Sequence, residues 1–286
     1  MAKKRIKYSF SNRGFQIFIM VYIILCTLFS LLSLFITILN ACKTHENIIS
    51  NGIFGLLEGN VFEIIGNNFV AAWDRISVSF WNSILFSLLG SILNCFVGSL
   101  LAYLFTYKDF PFKNAIFTLY ISVMLLPSIM GMPILVPFVQ QTLGWSNTIV
   151  GYLSPMLAGG QVSALFLFKT FFSQQPISIY EAAKVEGSND LHMYFKITIP
   201  LALPIILYHF IGSFSSLYND YLWASLIMEP GTLMMPTLQS ATQSFQQTQM
   251  GAMYMLYVIS SFPLIITTAI SMKFFVSGDF ASGLKL

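Results

Sequence analysis

The chain has 286 residues, of which only 14 are Lys or Arg and 11 are Asp or Glu. A soluble protein of this length carries on the order of 70 charged residues. With 56% hydrophobic residues and a mean hydropathy of +0.74, the chain has too little charge to clothe its surface, so lipid must cover much of it. A cytosolic enzyme, a secreted domain and a nucleic-acid binder are excluded, the last also because a net charge of +3 is small and scattered.

A bilayer core about 30 Å thick needs roughly 20 apolar residues in helical form. The sequence predicts an all-α polytopic membrane protein with six such helices, at about 15–39, 80–107, 115–139, 156–173, 201–228 and 250–276. The first follows Lys3, Lys4, Arg5, Lys7 and Arg13, like the start of a signal peptide. Its apolar run is too long for one and lacks a small-x-small cleavage site, so it reads as an uncleaved anchor. Leu39-Asn40-Ala41-Cys42 partly matches a lipoprotein cleavage box. Asn fits poorly there and more spans follow, so Cys42 reads as an ordinary residue at a membrane boundary. Together with Cys26 and Cys95 it makes an odd set at unrelated spacings, which implies neither disulfides nor a metal site.

Residues 41–79 hold Glu46, Glu58, Glu63 and Asp74 and are predicted to form a small outer cap with short helices. The fourth span is the shortest and opens on Leu157-Ala158-Gly159-Gly160. Loops near 140–155 and 229–249 are almost uncharged but rich in Gln, Gly and Pro. Orientation follows the Lys and Arg residues. With the N-terminus inside, the cytoplasmic side holds the five tail cations with Lys108, Lys113, Lys169, Lys184, Lys196, Lys273 and Lys285, against Lys43 and Arg75 outside. Both termini are therefore expected in the cytoplasm, with tails at 1–14 and 277–286 flanking a transmembrane domain at 15–276. Many of the 16% aromatic residues are Phe within spans or Tyr and Trp near interfaces, as aromatic belts require.

The longest inner loop, 174–200, contains Pro-Ile-Ser-Ile-Tyr-Glu-Ala-Ala-Lys-Val-Glu-Gly-Ser-Asn-Asp from Pro176 to Asp190. Ser178 and Glu181 have capping-box spacing, predicting a helix from Ile179, with Glu181 in the first turn suited to the helix dipole. Gly187 ends that helix in a left-handed conformation. Ser188, Asn189 or Asp190 caps a second short helix that stops before Pro200. Ile179, Ala182, Ala183 and Glu186 share one face, made narrow by the alanines so that another backbone can approach. Two short helices broken at a glycine form a compact knob suited to a cleft in a cytoplasmic partner.

Glu181-Ala182-Ala183, three residues, Gly187, nine residues, then Ile197-Thr198-Ile199-Pro200 resembles the EAA loop of binding-protein-dependent ABC importer permeases. Further stretches extend the resemblance over most of the chain. Asn82-Ser83 opens the second span, Ala102-Tyr103 and Phe110-Pro111-Phe112-Lys113 close it, and Leu143-Gly144-Trp145-Ser146-Asn147-Thr148 is similar to an outer Leu-Gly-x-x-(Asp/Asn)-Thr element. Tyr218-Asn219-Asp220-Tyr221-Leu222-Trp223 is similar to a stretch of the sugar importers, and the ending from Phe275 resembles that of the maltose-type second permease (MalG type), with Ser282-Gly283-Leu284-Lys285-Leu286 departing from the usual Gly-Ala-Val-Lys-Gly.

The resemblance implies the type I ABC importer permease fold in a bacterial cytoplasmic membrane, carrying a carbohydrate. It implies as partners a homologous second permease, a dimer of cytoplasmic ATPases and an extracytoplasmic solute-binding protein. The sequence has no Gly-x-x-x-x-Gly-Lys-Ser/Thr string, so no P-loop cradles ATP here; ATP and Mg are expected on the partner ATPases and no cofactor on this chain. No paired-carboxylate, Ser/His/Asp or Cys/His set points to catalysis. His45, His192 and His209 are expected outside, inside and within a span, and His209 reads as packing.

Glu181, Ala182, Ala183, Glu186 and Gly187 are the residues the resemblance assigns to ATPase coupling, with Glu181 as both ionic contact and helix cap. Asp220, read as lying well inside the fifth span, is costly there unless it faces a cavity or a partner. Asn219, Asp220, Tyr221 and Trp223 either line the substrate pathway or act as polar contacts between helices. The same fold carrying a polyamine, phosphate or another small solute is an alternative. A stand-alone secondary transporter or channel leaves the EAA string without a purpose.

Overall fold

The computed structural model describes residues 13–276; the tail cations Lys3, Lys4, Arg5, Lys7 and Lys285 and the C-terminal tail 277–286 lie outside the described residues. The helices in chain order are α1 (Arg13–Ala41), α2 (His45–Asn51), α3 (Val61–Tyr107), α4 (Lys113–Ser122), α5 (Met132–Pro137), α6 (Ile149–Pro155), α7 (Gln161–Phe172), α8 (Ile177–Val185), α9 (Asp190–Met193), α10 (Ile199–Tyr218), α11 (Leu222–Ile227), α12 (Met234–Phe245) and α13 (Met250–Val276). No strand occurs among the described residues. Five helices are long and apolar enough to cross a bilayer, and a sixth span results when Lys113–Leu125 and Ser128–Thr142, bent by 94°, count as one. The bend follows from Pro127, which disfavours helical geometry in the residue before it; Leu126 is extended at ψ 125°.

Several boundaries differ from those predicted. The second span starts at Val61, not near 80, and its 47 residues are about 70 Å long, more than twice the lipid core. Glu63, Asp74 and Arg75 lie within this continuous helix, so of the short helices predicted for 41–79 the structure shows α2. The fourth span starts at Ile149, because a π-turn at Met156–Gly160 joins α6 to α7 and carries the helix through the Gly159-Gly160 pair. The glutamine-rich loop contains α12, in which Met234, Thr237, Ala241 and Phe245 bury one face while Gln239, Gln243 and Ser244 stay exposed.

The chain divides into two compact units, Met1–Trp73 with Thr242–Ile259 and Asp74–Ala241 with Ser260–Leu286. In the first, α1 ends beside a polar knot. Lys43 is fully buried and its Nζ donates to the carbonyls of Gly52 (3.3 Å) and Ile53 (3.2 Å). Thr44 caps α2 by accepting from the Asn47 amide (3.2 Å). Asn68 Nδ2 donates to the carbonyls of Ala41 (2.9 Å) and Lys43 (3.0 Å). Gly251 fits here only without a side chain, since a Cβ would lie 2.1 Å from the Lys43 carbonyl oxygen.

In the second unit, α3 presents a buried row of Ser83, Ser87, Ser91, Asn94, Gly98 and Ala102. Small residues let helices approach where the hydrophobic effect gives no drive between them. A Cβ on Gly98 would fall 2.3 Å from the Cβ of Ala164 on α7. Around this crossing Tyr103, Phe105, Leu165, Phe168, Phe172, Tyr194 and Ala202 form one apolar core. Asn82 and Ser83 hold the entry to α12: Asn82 Nδ2 donates to the Thr232 carbonyl (3.1 Å), and Ser83 Oγ accepts from the Met234 amide (2.7 Å).

The Gly98–Ala164 crossing leaves no room for a side chain, and overpacking costs about 1–3 kcal/mol. Gly98→Ala is expected to lower the yield of monodisperse protein on size-exclusion chromatography in mild detergent, Gly98→Leu more so. Adding Ala164→Gly to Gly98→Ala should restore most of it.

Candidate functional site

The loop between the fourth and fifth spans folds as two helices meeting at a glycine. α8 begins at Ile177 behind Pro176, with no side chain capping it. The predicted capping box of Ser178 and Glu181 is not formed. Starting two residues early places Ser178 inside the first turn and Glu181 beyond it, where the dipole's influence has faded. Gly187 ends α8 as expected, at φ +82°. Its amide donates to the Lys184 carbonyl (3.1 Å) and that of Ser188 to the Ala183 carbonyl (2.9 Å), the paired bonds of a Schellman motif. Of the three possible caps for the next helix, Asn189 serves: its Oδ1 accepts from the His192 amide (2.8 Å).

α9 does not stop before Pro200. A π-turn at Tyr194–Thr198, with the Ile199 amide donating to the Tyr194 carbonyl, joins it to α10. Pro200 follows this turn at the start of α10, and the local widening accommodates its missing amide hydrogen inside the continuous helix. Asp190–Tyr218 is thus one helix of 29 residues.

The face predicted to hold Ile179, Ala182, Ala183 and Glu186 is divided. Ala183 is buried and packs into the core of its own bundle with Tyr180, and Ile179 is half-buried against the same core. The small side chain of Ala183 lets α8 lie close against the spans. Glu181, Ala182, Glu186 and Gly187 are exposed, and beside them Val185 and Leu191 are 88% and 65% exposed. The knob therefore exposes charged and apolar side chains together, with Lys184 beside the carboxylates.

Sequence reasoning missed the residues that root this knob. The Tyr107 and Tyr180 rings stack with centroids 4.1 Å apart. Tyr107 Oη donates to the Phe172 carbonyl (3.1 Å) or to Gln175 Oε1 (3.0 Å). Tyr194 Oη and Ser99 Oγ share a hydrogen bond of 2.7 Å, and Lys108 pairs with Asp190. The available signal was tyrosine, rather than the chain's abundant phenylalanine, where spans meet this loop.

The other predicted site lies at a break. α10 ends at Tyr218, so Asp220 follows the fifth span instead of lying within it. Its Oδ1 accepts from the Trp223 amide (3.2 Å), capping α11. Trp223 is buried, and its indole N–H donates to the Tyr152 carbonyl (3.0 Å), while Tyr152 Oη donates to the Leu217 carbonyl (2.9 Å). Trp223 thus locks α6 to the break. Asn219 and Tyr221 are exposed. Close by, Asn147, at φ +54°, donates its amide to the Ile227 carbonyl (2.8 Å) and accepts from the Glu229 amide (3.3 Å). His209 packs edge-on against Phe168 and shares a 3.0 Å hydrogen bond with Asn94. Among the described residues, no three of His, Cys, Asp and Glu gather as metal ligands would.

The sequence profile of the family described as "Binding-protein-dependent transport system inner membrane component" matches residues 94–278, spanning both regions. The chain belongs to this family. It is a multi-pass membrane protein, as its apolar helices require. Similar relatives include the inner membrane ABC transporter permease protein YcjP of Escherichia coli, 30% identical over 54% of this chain and 56% of the relative. Another is the sn-glycerol-3-phosphate transport system permease protein UgpE of Yersinia enterocolitica, 26% identical over 62% of this chain and 63% of the relative. The chain thus matches between half and two thirds of the length of these relatives. In fold it is similar to a chain of a bacterial ABC transporter involved in the import of the acidic polysaccharide alginate, with a TM-score of 0.76, 19% identity, and coverage of 92% of this chain and 98% of that one.

Burial pushes the Asp220 carboxyl above its ordinary pKa, partly opposed by the Trp223 amide. The folded state then holds the proton more tightly than the unfolded chain, so ionisation costs stability as pH rises from the unfolded to the folded value, and the cost stays constant above that. Asp220→Asn keeps an oxygen for the Trp223 amide and removes the charge. It should raise the melting temperature in detergent by about 2 °C at pH 7, a gain that shrinks as the pH is lowered towards 4.

Proposed function

We propose that this chain is the transmembrane permease subunit of an ATP-binding-cassette importer for a carbohydrate, forming half of the translocation pathway beside a homologous second permease. The observation that carries this reading is the knob at 177–193, with Glu181, Ala182 and Glu186 exposed on a short helix that Gly187 ends abruptly. Family membership and the names of the relatives agree with it. Both termini and the knob face the cytoplasm of a bacterial cell, where a dimer of ATPases holding ATP and Mg grips the knobs of the two permeases. Closure of that dimer pushes the knobs together and turns the pathway outward, while a solute-binding protein delivers cargo from the other side. ATP and the binding protein favour the same outward-facing state, which is what couples them.

Carbohydrate cargo is favoured by the Tyr218–Trp223 stretch and by the alginate importer of similar fold. The glycerol phosphate permeases among the relatives favour, as a second reading, a smaller phosphorylated polyol. At the break after α10, the exposed Asn219 and Tyr221 are the residues placed to meet cargo, with Asp220 and Trp223 holding the backbone behind them. The chain itself performs no catalysis.

Copurification with mass spectrometry should recover an ATPase and a second permease, and their absence would defeat the reading. In the intact complex, Gly187→Val forces a β-branched residue into the left-handed region, at a cost of about 1–2 kcal/mol. It should leave ATP hydrolysis largely intact while solute uptake falls about tenfold. Normal uptake by the variant would overturn the role given to the bend.

A further inference from the structure

Tyr180 immediately precedes the Glu181-Ala182-Ala183 string and points the other way, with 6% of its surface exposed. Its hydroxyl lies 3.1 Å from Thr198 Oγ1 and also within bonding distance of Gln175 Oε1. Thr198 is fully buried at the end of the π-turn, and its hydroxyl donates to the Met193 carbonyl (3.2 Å). Gln175 Oε1 is also within reach of Tyr107 Oη, which in turn reaches the last carbonyl of α7 at Phe172. Behind the hydroxyls, the stacked rings of Tyr107 and Tyr180 join the end of α3 to α8. Through Tyr107, Gln175 and Thr198 this one residue is joined to the elements by which movement of the knob can enter the bundle: α3, the segment after α7 and the turn that leads into α10.

The chemistry of this joint differs from that of the surrounding core. Around it Phe105, Leu165, Phe168 and Ala202 hold α3, α7 and α10 by apolar packing, which gives way gradually. Here hydroxyls bond across helix ends in a dry setting, where a lost partner leaves a buried polar group unsatisfied. The hydroxyls also face more acceptors than they have hydrogens. Tyr180 can donate to Thr198 while Tyr107 serves Gln175, or donate to Gln175 while Tyr107 serves Phe172. The joint can therefore exchange partners without leaving a hydroxyl unbonded.

We propose that Tyr180 and Thr198, backed by Tyr107, are the positioning residues that make the knob move as one body with α3, α7 and α10. This rests on the coupling role proposed above for the knob. The aromatic ring supplies packing, and the Tyr180–Thr198 hydrogen bond supplies the transmission. Removing the bond while keeping the ring should uncouple the ends of the machine without dismantling it.

The test uses the whole importer in proteoliposomes, with its ATPases, second permease, solute-binding protein and a cargo that this binding protein binds. Solute moved per ATP hydrolysed is compared for the wild type, Tyr180→Phe, Thr198→Val, the double variant and Thr198→Ser. Tyr180→Phe and Thr198→Val should assemble in normal amounts and hydrolyse ATP at close to the wild-type rate, yet move about fivefold less solute per ATP, the worth of roughly one hydrogen bond. The double variant should be no worse than either single one, and Thr198→Ser should behave as wild type. An unchanged ratio in both single variants would overturn the proposal, as would a loss of transport only in proportion to lost complex. A wild-type complex with no ATP-driven uptake would instead defeat the functional reading on which it rests.

Discussion

Inside lipid, no water satisfies an open backbone amide or carbonyl, and the architecture of this chain follows from that constraint. It confines the chain to helices and makes every interruption of a helix an event that needs local repair. The third span turns at Pro127 with short 3₁₀ segments on either side, whose Leu126 and Met130 amides find the carbonyls of Val123 and Pro127. The fourth and fifth spans widen into π-turns instead of breaking. After α10, the open amide of Trp223 is taken by the Asp220 carboxylate. Both candidate functional regions lie beside such interruptions, at the π-turn of Tyr194–Thr198 and at the end of α10.

The same constraint explains which residues pack the bundle. Lipid tails are as apolar as leucine, so the helices gain little by hiding leucine from them. Close approach and shared hydrogen bonds remain as the adhesives. The Ser, Asn and Gly row of α3 meets α7 at a crossing tight enough that Gly98 and Ala164 leave no slack. Where α3 ends, tyrosine hydroxyls replace small residues as the adhesive, and the change coincides with the knob.

Much of this was legible in the sequence because charge is expensive in lipid: the scarcity of Lys, Arg, Asp and Glu marked the spans to within several residues on most sides. Gly187 was legible because a left-handed helix end needs glycine, and Asn189 was among three caps of similar chemistry. The misreadings share a cause, which is that local patterns do not report tertiary surroundings. Ser178 and Glu181 have cap spacing, but Pro176 starts the helix earlier. Ala183 suits a partner's backbone or the protein's own bundle equally well by size. The first 15 residues of α3 carry charges that exclude lipid but do not exclude helix, so a charge-based boundary falls inside a helix that is continuous. Pro200 looked like a stop because the π-turn that accommodates it leaves no mark in composition. Trp223 suits a pathway aromatic or a contact between helices equally well by residue type, and its indole N–H on the Tyr152 carbonyl favours the contact.

The buried ammonium of Lys43 closes a small ring. By holding the Gly52 and Ile53 carbonyls, one side chain ties the start of a ten-residue segment to its end and encloses α2 within the tether. Such closure is often made by a disulfide, yet Cys26, Cys42 and Cys95 are all free thiols. A lysine clasp reduces the conformational freedom of the segment in the folded state without asking for an oxidising folding environment. It also forms without covalent chemistry, so the closure of the segment carries no redox cost.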